Sequence, residues 1–172
     1  MYSEMTIGKR ISNLIVTAIF VFVIIIIFLI IFFKVTTYHI VGHSMNPTLT
    51  EGELVLAIPQ KTYKRGDVIA FDLDDNNTIK RIIGIPGDKV FIDNDGTVYV
   101  NDKELNEKYI KSKVRGDIEV VNPYQVIEGE YFVLGDNRGD SKDSRLLKVG
   151  AIKEGQIKAK IVASISKFKI IK

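Results

Sequence analysis

The 172-residue chain has no cysteine and no tryptophan, and its only histidines are His39 and His43. Without cysteine there is no disulfide, no thiol nucleophile and no thiolate metal site. Two histidines leave little room for a Ser-His-Asp triad, because His43 directly precedes Ser44 and in an extended chain the two side chains point to opposite faces. The acidic spacing at 136, 140 and 143 does not fit a calcium-binding loop, and no metal or cofactor is expected. A charge excess is missing too: 24 basic against 21 acidic residues give +3, and setting aside Glu4, Lys9 and Arg10 leaves 22 and 20. That balance argues against a nucleic-acid partner. Internal repeats and low-complexity linkers are absent.

What the chain does have is one long apolar block. From Leu14 to Phe33 twenty residues carry no charge, Gly or Pro. As a helix rising about 1.5 Å per residue the block spans roughly 30 Å, one bilayer crossing. It runs into Lys34-Val35-Thr36-Thr37-Tyr38 with no small-residue cleavage pattern, so it reads as a permanent anchor rather than a removable leader. Every face is apolar and the remaining domain is too small to surround such a helix, which argues against a buried core helix. Lys9, Arg10 and the amino terminus outweigh Lys34, which predicts residues 1–13 as a cytoplasmic tail, 14–33 as the membrane span and 34–172 as an extracytoplasmic domain.

In that domain ELVLAIP (53–59), DVIAFDL (67–73), TIKRIIGI (78–85), KVFID (89–93), TVYV (97–100), EYFVL (130–134) and IKAKIVASI (157–165) read as strands. Asn94-Asp95-Gly96 marks a hairpin. No run shows helical periodicity, so the fold class is mostly β, antiparallel sheets or a partial barrel behind one N-terminal transmembrane helix. Residues 101–125 are polar and irregular and read as an extended excursion. The tail SKFKIIK reads as a last strand, with a basic, apolar foot on anionic lipid as the alternative. Arg-Gly-Asp occurs at 65–67, 115–117 and 138–140, where turn chemistry explains it better than adhesion.

The stretch GHSMNPTL (42–49) raises the question of whether Ser44 is a nucleophile. A serine hydroxyl needs a base within hydrogen-bonding reach. With histidine disfavoured, carboxylates and lysines remain, and a lysine serves if burial strips its ammonium of water; each tenfold gain in its neutral form costs about 1.4 kcal/mol. Lys80 sits among Ile79, Ile82, Ile83 and Ile85, which fits that use and equally fits an edge-strand charge. Arg81 never loses its proton. In GDNRGDSKDSR (135–145), Asp143 can hold Arg145 or Arg81, and Ser141 can orient a neutral amine.

Four blocks occur in order behind the anchor: G-x-S-M-x-P-T-L (42–49), R-G-D-V-I-x-F (65–71), K-R-I-I-G-I-P-G-D (80–88) and G-D-N-R-x-x-S-x-D-S-R (135–145). Together they resemble bacterial type I signal peptidases over nearly the whole chain. The resemblance implies a membrane-bound serine–lysine endopeptidase that cleaves signal peptides from exported preproteins, on a β-rich domain facing away from the cytoplasm. Carried over by motif position, Ser44 is the nucleophile and Lys80 the general base. Ser141 orients the lysine, Asp143 and Arg145 form a supporting ion pair, and Arg81 and Asp136 support the same motifs. The Ser44 backbone N–H is the natural oxyanion donor, with Gly42 the second candidate, standing where some members place a hydroxyl. Ile40, Met45 and Ile79 are candidate walls of shallow pockets for small substrate side chains.

Implied partners are the signal peptide, membrane lipid and the protein-translocation machinery. Ten residues separate Phe33 from Ser44, which keeps the nucleophile within about 35 to 40 Å of the membrane interface even in an extended chain. Asp140 departs from the asparagine usual before the motif serine, and Leu146-Leu147-Lys148-Val149-Gly150 departs from the usual sequence after Arg145. Competing readings are a self-cleaving Ser–Lys repressor-type protease, an inactive membrane-tethered binding domain and a structural envelope protein. The anchor disfavours the first, intact Ser44 and Lys80 the second, and the four ordered blocks the third.

Overall fold

The computed structural model describes Tyr2 to Ile171, so the amino terminus invoked for orientation and the final Lys172 lie outside the described residues. The chain divides after Val35 into two units. The first is a helix, Tyr2–Phe33 (α1). It starts well before the apolar block because residues 2–13 contain no proline and one glycine, so nothing interrupts the i→i−4 ladder. Gly8–Phe32 is long and apolar enough to cross a membrane, and none of it is buried against protein. Lys34 ends the helix in a left-handed conformation, φ 48°. The Lys34 and Val35 N–H groups then donate back to the Ile31 and Ile30 carbonyls, which satisfies the terminal acceptors.

Among the described residues the second unit holds twelve strands. They are Thr36–His39 (β1), Leu54–Ile58 (β2), Val68–Leu73 (β3), Asn76–Gly84 (β4), Lys89–Ile92 (β5), Val98–Val100 (β6), Lys103–Glu104 (β7), Tyr124–Gln125 (β8), Glu130–Leu134 (β9), Ile152–Lys153 (β10), Ile157–Ser164 (β11) and Lys169–Ile170 (β12). An eight-stranded sheet runs β1-β2-β11-β3-β4-β9-β10 with β12 added on β11, and a four-stranded sheet runs β7-β6-β5-β8. Every pairing is antiparallel. All seven runs read as strands from the sequence form strands; β1 went unread because it follows the anchor directly.

Side chains of β3 alternate between two cores. Val68 and Ala70 join Met45, Leu49, Val55 and Ile161 on one side, while Ile69 and Phe71 join Ile82, Tyr131 and Val133 on the other. Burial on both faces is why β3 reads as a continuous apolar run. The Asn94-Asp95-Gly96 turn does join β5 to β6, with Gly96 alone of the three taking positive φ and the Asp95 carboxylate accepting the Thr97 N–H.

Residues 101–125 depart from the expected polar excursion. They contribute β7 and β8, and Leu105, Tyr109, Ile118 and Val120 pack half-buried on the core of the smaller sheet. Their uneven spacing hides them from any periodic pattern. The tail forms β12, with Ile171 buried and Phe168 and Ile170 exposed. The 65–67 and 138–140 Arg-Gly-Asp segments form turns, closed by Asp67 N–H on the Lys64 carbonyl and Asp140 N–H on the Asn137 carbonyl.

Candidate active site

Ser44 opens a tight turn between β1 and β2, in which the Asn46 N–H donates to the His43 carbonyl and the Leu49 N–H to the Met45 carbonyl. Met45 and Leu49 anchor this turn in the core, which leaves Ser44 partly exposed. Lys80 lies on β4, paired across from Ile69 of β3. Its Nζ is 2.8 Å from Ser44 Oγ and 3.1 Å from the Ile79 carbonyl oxygen.

Only 5% of Lys80 is exposed. Burial pushes its amine below the ordinary lysine range, against the opposing pull of the Asp143, Asp136 and Asp140 carboxylates. The two histidines take no part in this pair; His43 is exposed and faces Glu51 at 3.5 Å.

Three arginines frame the pair. Arg81 is fully buried and donates through Nε and Nη2 to Asp136 at 2.9 and 2.7 Å, and through Nη1 to the Gly66 carbonyl. Asp136 also accepts the Thr48 hydroxyl at 2.5 Å, which ties the Ser44 turn to β4. Asp143 takes Arg145 rather than Arg81, with Nε and Nη2 at 2.8 and 2.9 Å, and accepts the Gly135 N–H. Arg138, absent from the candidates drawn from the sequence, donates through Nε to the Gly135 carbonyl at 3.1 Å.

Asn137 was missed as well. Its backbone N–H donates to the Ser44 carbonyl at 2.9 Å and its side chain to the His43 carbonyl at 3.2 Å, which fixes the main chain on both sides of the Cα of Ser44. Its position inside G-D-N-R was the available signal.

Two features differ from what the motifs imply. Ser141 Oγ is buried with no hydrogen-bond partner, so its expected bond to Lys80 is not formed. The Gly42 N–H is directed at the Glu51 carboxylate at 3.3 Å, which takes it from an oxyanion site, whereas the Ser44 N–H has no acceptor among the described residues.

Two cavities meet at the pair, sharing Gly42, Ser44, Thr78 and Lys80. The smaller, about 240 Å³, is walled by Ile40, Met45 and Ile79 together with His39 and Val41. Ile40 and Met45 also belong to the core, so they serve both surfaces. The larger, about 660 Å³, is lined by Asp74, Glu119, Asp140, Lys142 and Lys148. Residues 76–80 of β4 pair with β3 on one edge, and β9 joins the other edge only from Arg81 onward. An extended peptide laid along this free edge would reach both cavities. No cluster of metal-ligating side chains occurs among the described residues.

Known proteins are similar to this chain. Residues 12–166 match the family described as signal peptidase, peptidase S26. Signal peptidase IB of Staphylococcus aureus (strain Mu50 / ATCC 700699) is 41% identical over 149 residues, 75% of this chain and 76% of that protein. Signal peptidase I of Bacillus licheniformis is 42% identical over 122 residues, 63% and 64% of the two chains. A crystal structure of a signal peptidase I from Enterococcus faecalis V583 is 36% identical with a TM-score of 0.46, covering 58% of this chain and 97% of that one. With a family model matched across residues 12–166 and a relative 41% identical over 149 residues, this chain belongs to the signal peptidase family, peptidase S26.

Proposed function

We propose that this protein is a membrane-anchored serine endopeptidase that removes signal peptides from exported preproteins. The observation that carries the reading is the 2.8 Å approach of a buried, pKa-lowered Lys80 amine to the Ser44 hydroxyl. In its neutral form Lys80 Nζ accepts the Ser44 proton as Oγ attacks the scissile carbonyl carbon. The tetrahedral oxyanion is held by the Ser44 N–H. Lys80 then gives the proton to the departing amine, leaving an ester on Ser44. Water, deprotonated by Lys80, hydrolyses that ester and restores both groups.

Arg81, Asp136, Asp143 and Arg145 support this pair as buried ion pairs. The smaller cavity takes the small side chains preceding the scissile bond, and the larger, charged cavity takes the residues that follow it. The anchor lies in the membrane with residues 1–13 cytoplasmic and the domain from residue 34 outside. The positive charge of Lys9 and Arg10 supports that orientation. Lipid and the translocation machinery are its neighbours there.

The test is cleavage of a purified preprotein by full-length protein in detergent or vesicles. Ser44→Ala and Lys80→Ala are expected to lose cleavage while remaining folded. Unchanged cleavage in either variant would reject its assigned role.

A further inference from the structure

The segment between β7 and β8 was expected to be an extended excursion, yet it carries a partner of each of the three buried arginines around the site. Glu107 accepts both terminal nitrogens of Arg138, the Nη1 contact at 2.9 Å, with side chains 3% and 2% exposed. The Tyr109 hydroxyl donates to Glu107 at 2.8 Å, and its ring lies 4.1 Å from the guanidinium carbon of Arg81. The Arg115 carbonyl accepts Arg145 Nη1 at 2.8 Å. At Gly116, φ 62°, an added Cβ would stand 2.7 Å from that same nitrogen.

From Glu107 a short path of contacts leads to the nucleophile. Arg138, held by Glu107, donates to the Gly135 carbonyl. Gly135 lies against the main chain of Ser44, where an added Cβ would stand 2.6 Å from the Ser44 carbonyl oxygen. Two residues on, Asn137 donates to that oxygen. A second path runs through Tyr109 to Arg81, the chain neighbour of Lys80.

We propose that Glu107 is a positioning residue for cleavage: it fixes Arg138 on the Gly135 carbonyl and Tyr109 against Arg81, and thereby holds the Ser44 turn and the Lys80 strand at the spacing that proton transfer needs. A buried ion pair adds little to stability over an apolar replacement, whereas a bidentate carboxylate–guanidinium contact fixes distance and plane. Misplacing reacting groups by about 1 Å costs about a hundredfold in rate.

This inference rests on Ser44 and Lys80 being the reacting pair. The experiment uses the full-length protein in detergent micelles with a purified preprotein, at a temperature where circular dichroism shows each variant folded. Glu107→Gln is expected to lower kcat about 10- to 100-fold with KM within about twofold. Leu105→Ala, on the same segment but packed on the core of the smaller sheet, controls for general loosening and is expected to melt earlier with kcat within about threefold. Arg138→Lys keeps a charge facing Glu107 but lacks the Nε donor to Gly135, and is expected to lose kcat with less change in melting.

Wild-type kcat in Glu107→Gln overturns the proposal, as does an equal loss in Leu105→Ala at the same melting temperature. If Glu107→Gln does not fold, the folded Arg138→Lys variant decides, and an unchanged kcat there overturns it. Ser44→Ala in the same assay tests the underlying reading separately, because cleavage by that variant removes the reacting pair whatever Glu107 does.

Discussion

Gly135 packs against Ser44 with no room for a side chain: a Cβ at position 135 would lie 2.6 Å from the Ser44 carbonyl oxygen and would collide with the Ser141 side chain as well. Gly135→Ala must therefore push the Ser44 turn away from β4. The expected result is a stability loss of about 1 to 3 kcal/mol, typical of overpacking, together with at least about a hundredfold fall in cleavage rate. Chemical denaturation and single-turnover cleavage check the two parts.

Lys80→Met is expected to abolish cleavage and raise stability. The folded amine titrates below its unfolded value, so between the two values the unfolded chain binds more protons and stability rises with pH. Below that window the buried charge is a full penalty. The gain from methionine is therefore full below that window, shrinks as pH rises through it and vanishes above the ordinary lysine value of about 10.4. Denaturation midpoints of both proteins across that range test this sign.

Glu53 gives the same sign of pH dependence in an acid window, through a stabilised charge rather than a penalised one. Burial alone would raise its carboxyl, but hydrogen bonds from Lys167, Thr50 and Ser164 hold it down at about 2, against an ordinary 4.5. Its stabilisation is present above the ordinary value and is lost as pH falls through about 2. Glu53→Gln is expected to cost at most about 3 kcal/mol near neutral pH and to flatten the acid side of the stability profile. An unchanged acid limb would contradict this role.

Arg145→Lys keeps the charge facing Asp143 but lacks the fork that reaches the Arg115 and Arg138 carbonyls, both at 2.8 to 2.9 Å. A loss of about 2 to 4 kcal/mol is expected, with hydrogen exchange rising first in residues 112–120. Exchange confined to the far sheet edge at β10 would argue against the contact.

The sheet strands were legible because short apolar, β-rich runs and turn residues are local signals, as in Val68–Leu73 and in the Asp95-Gly96 turn. The Ser44 and Lys80 contact was legible only through the order of the four blocks, since 36 positions separate the two residues and no periodicity links them. Glu107 was out of reach altogether. An acidic residue in a polar stretch looks solvated, and only the fold brings Arg138, 31 positions away, to bury it. Leu105, Tyr109, Ile118 and Val120 were hidden in the same way, being apolar residues at uneven intervals. The Gly42 N–H turned toward Glu51 because the loop folds back on itself nine residues later, a geometry that motif position does not encode.

The most direct measurement is the pH titration of the Lys80 Nζ by NMR in the full-length protein in micelles, assigned by difference from Lys80→Met. The account predicts a titration below the ordinary lysine range, moving when Ser44 is replaced by alanine. A Lys80 amine that titrates near 10.4, about the value of a free lysine, and ignores Ser44 would contradict it.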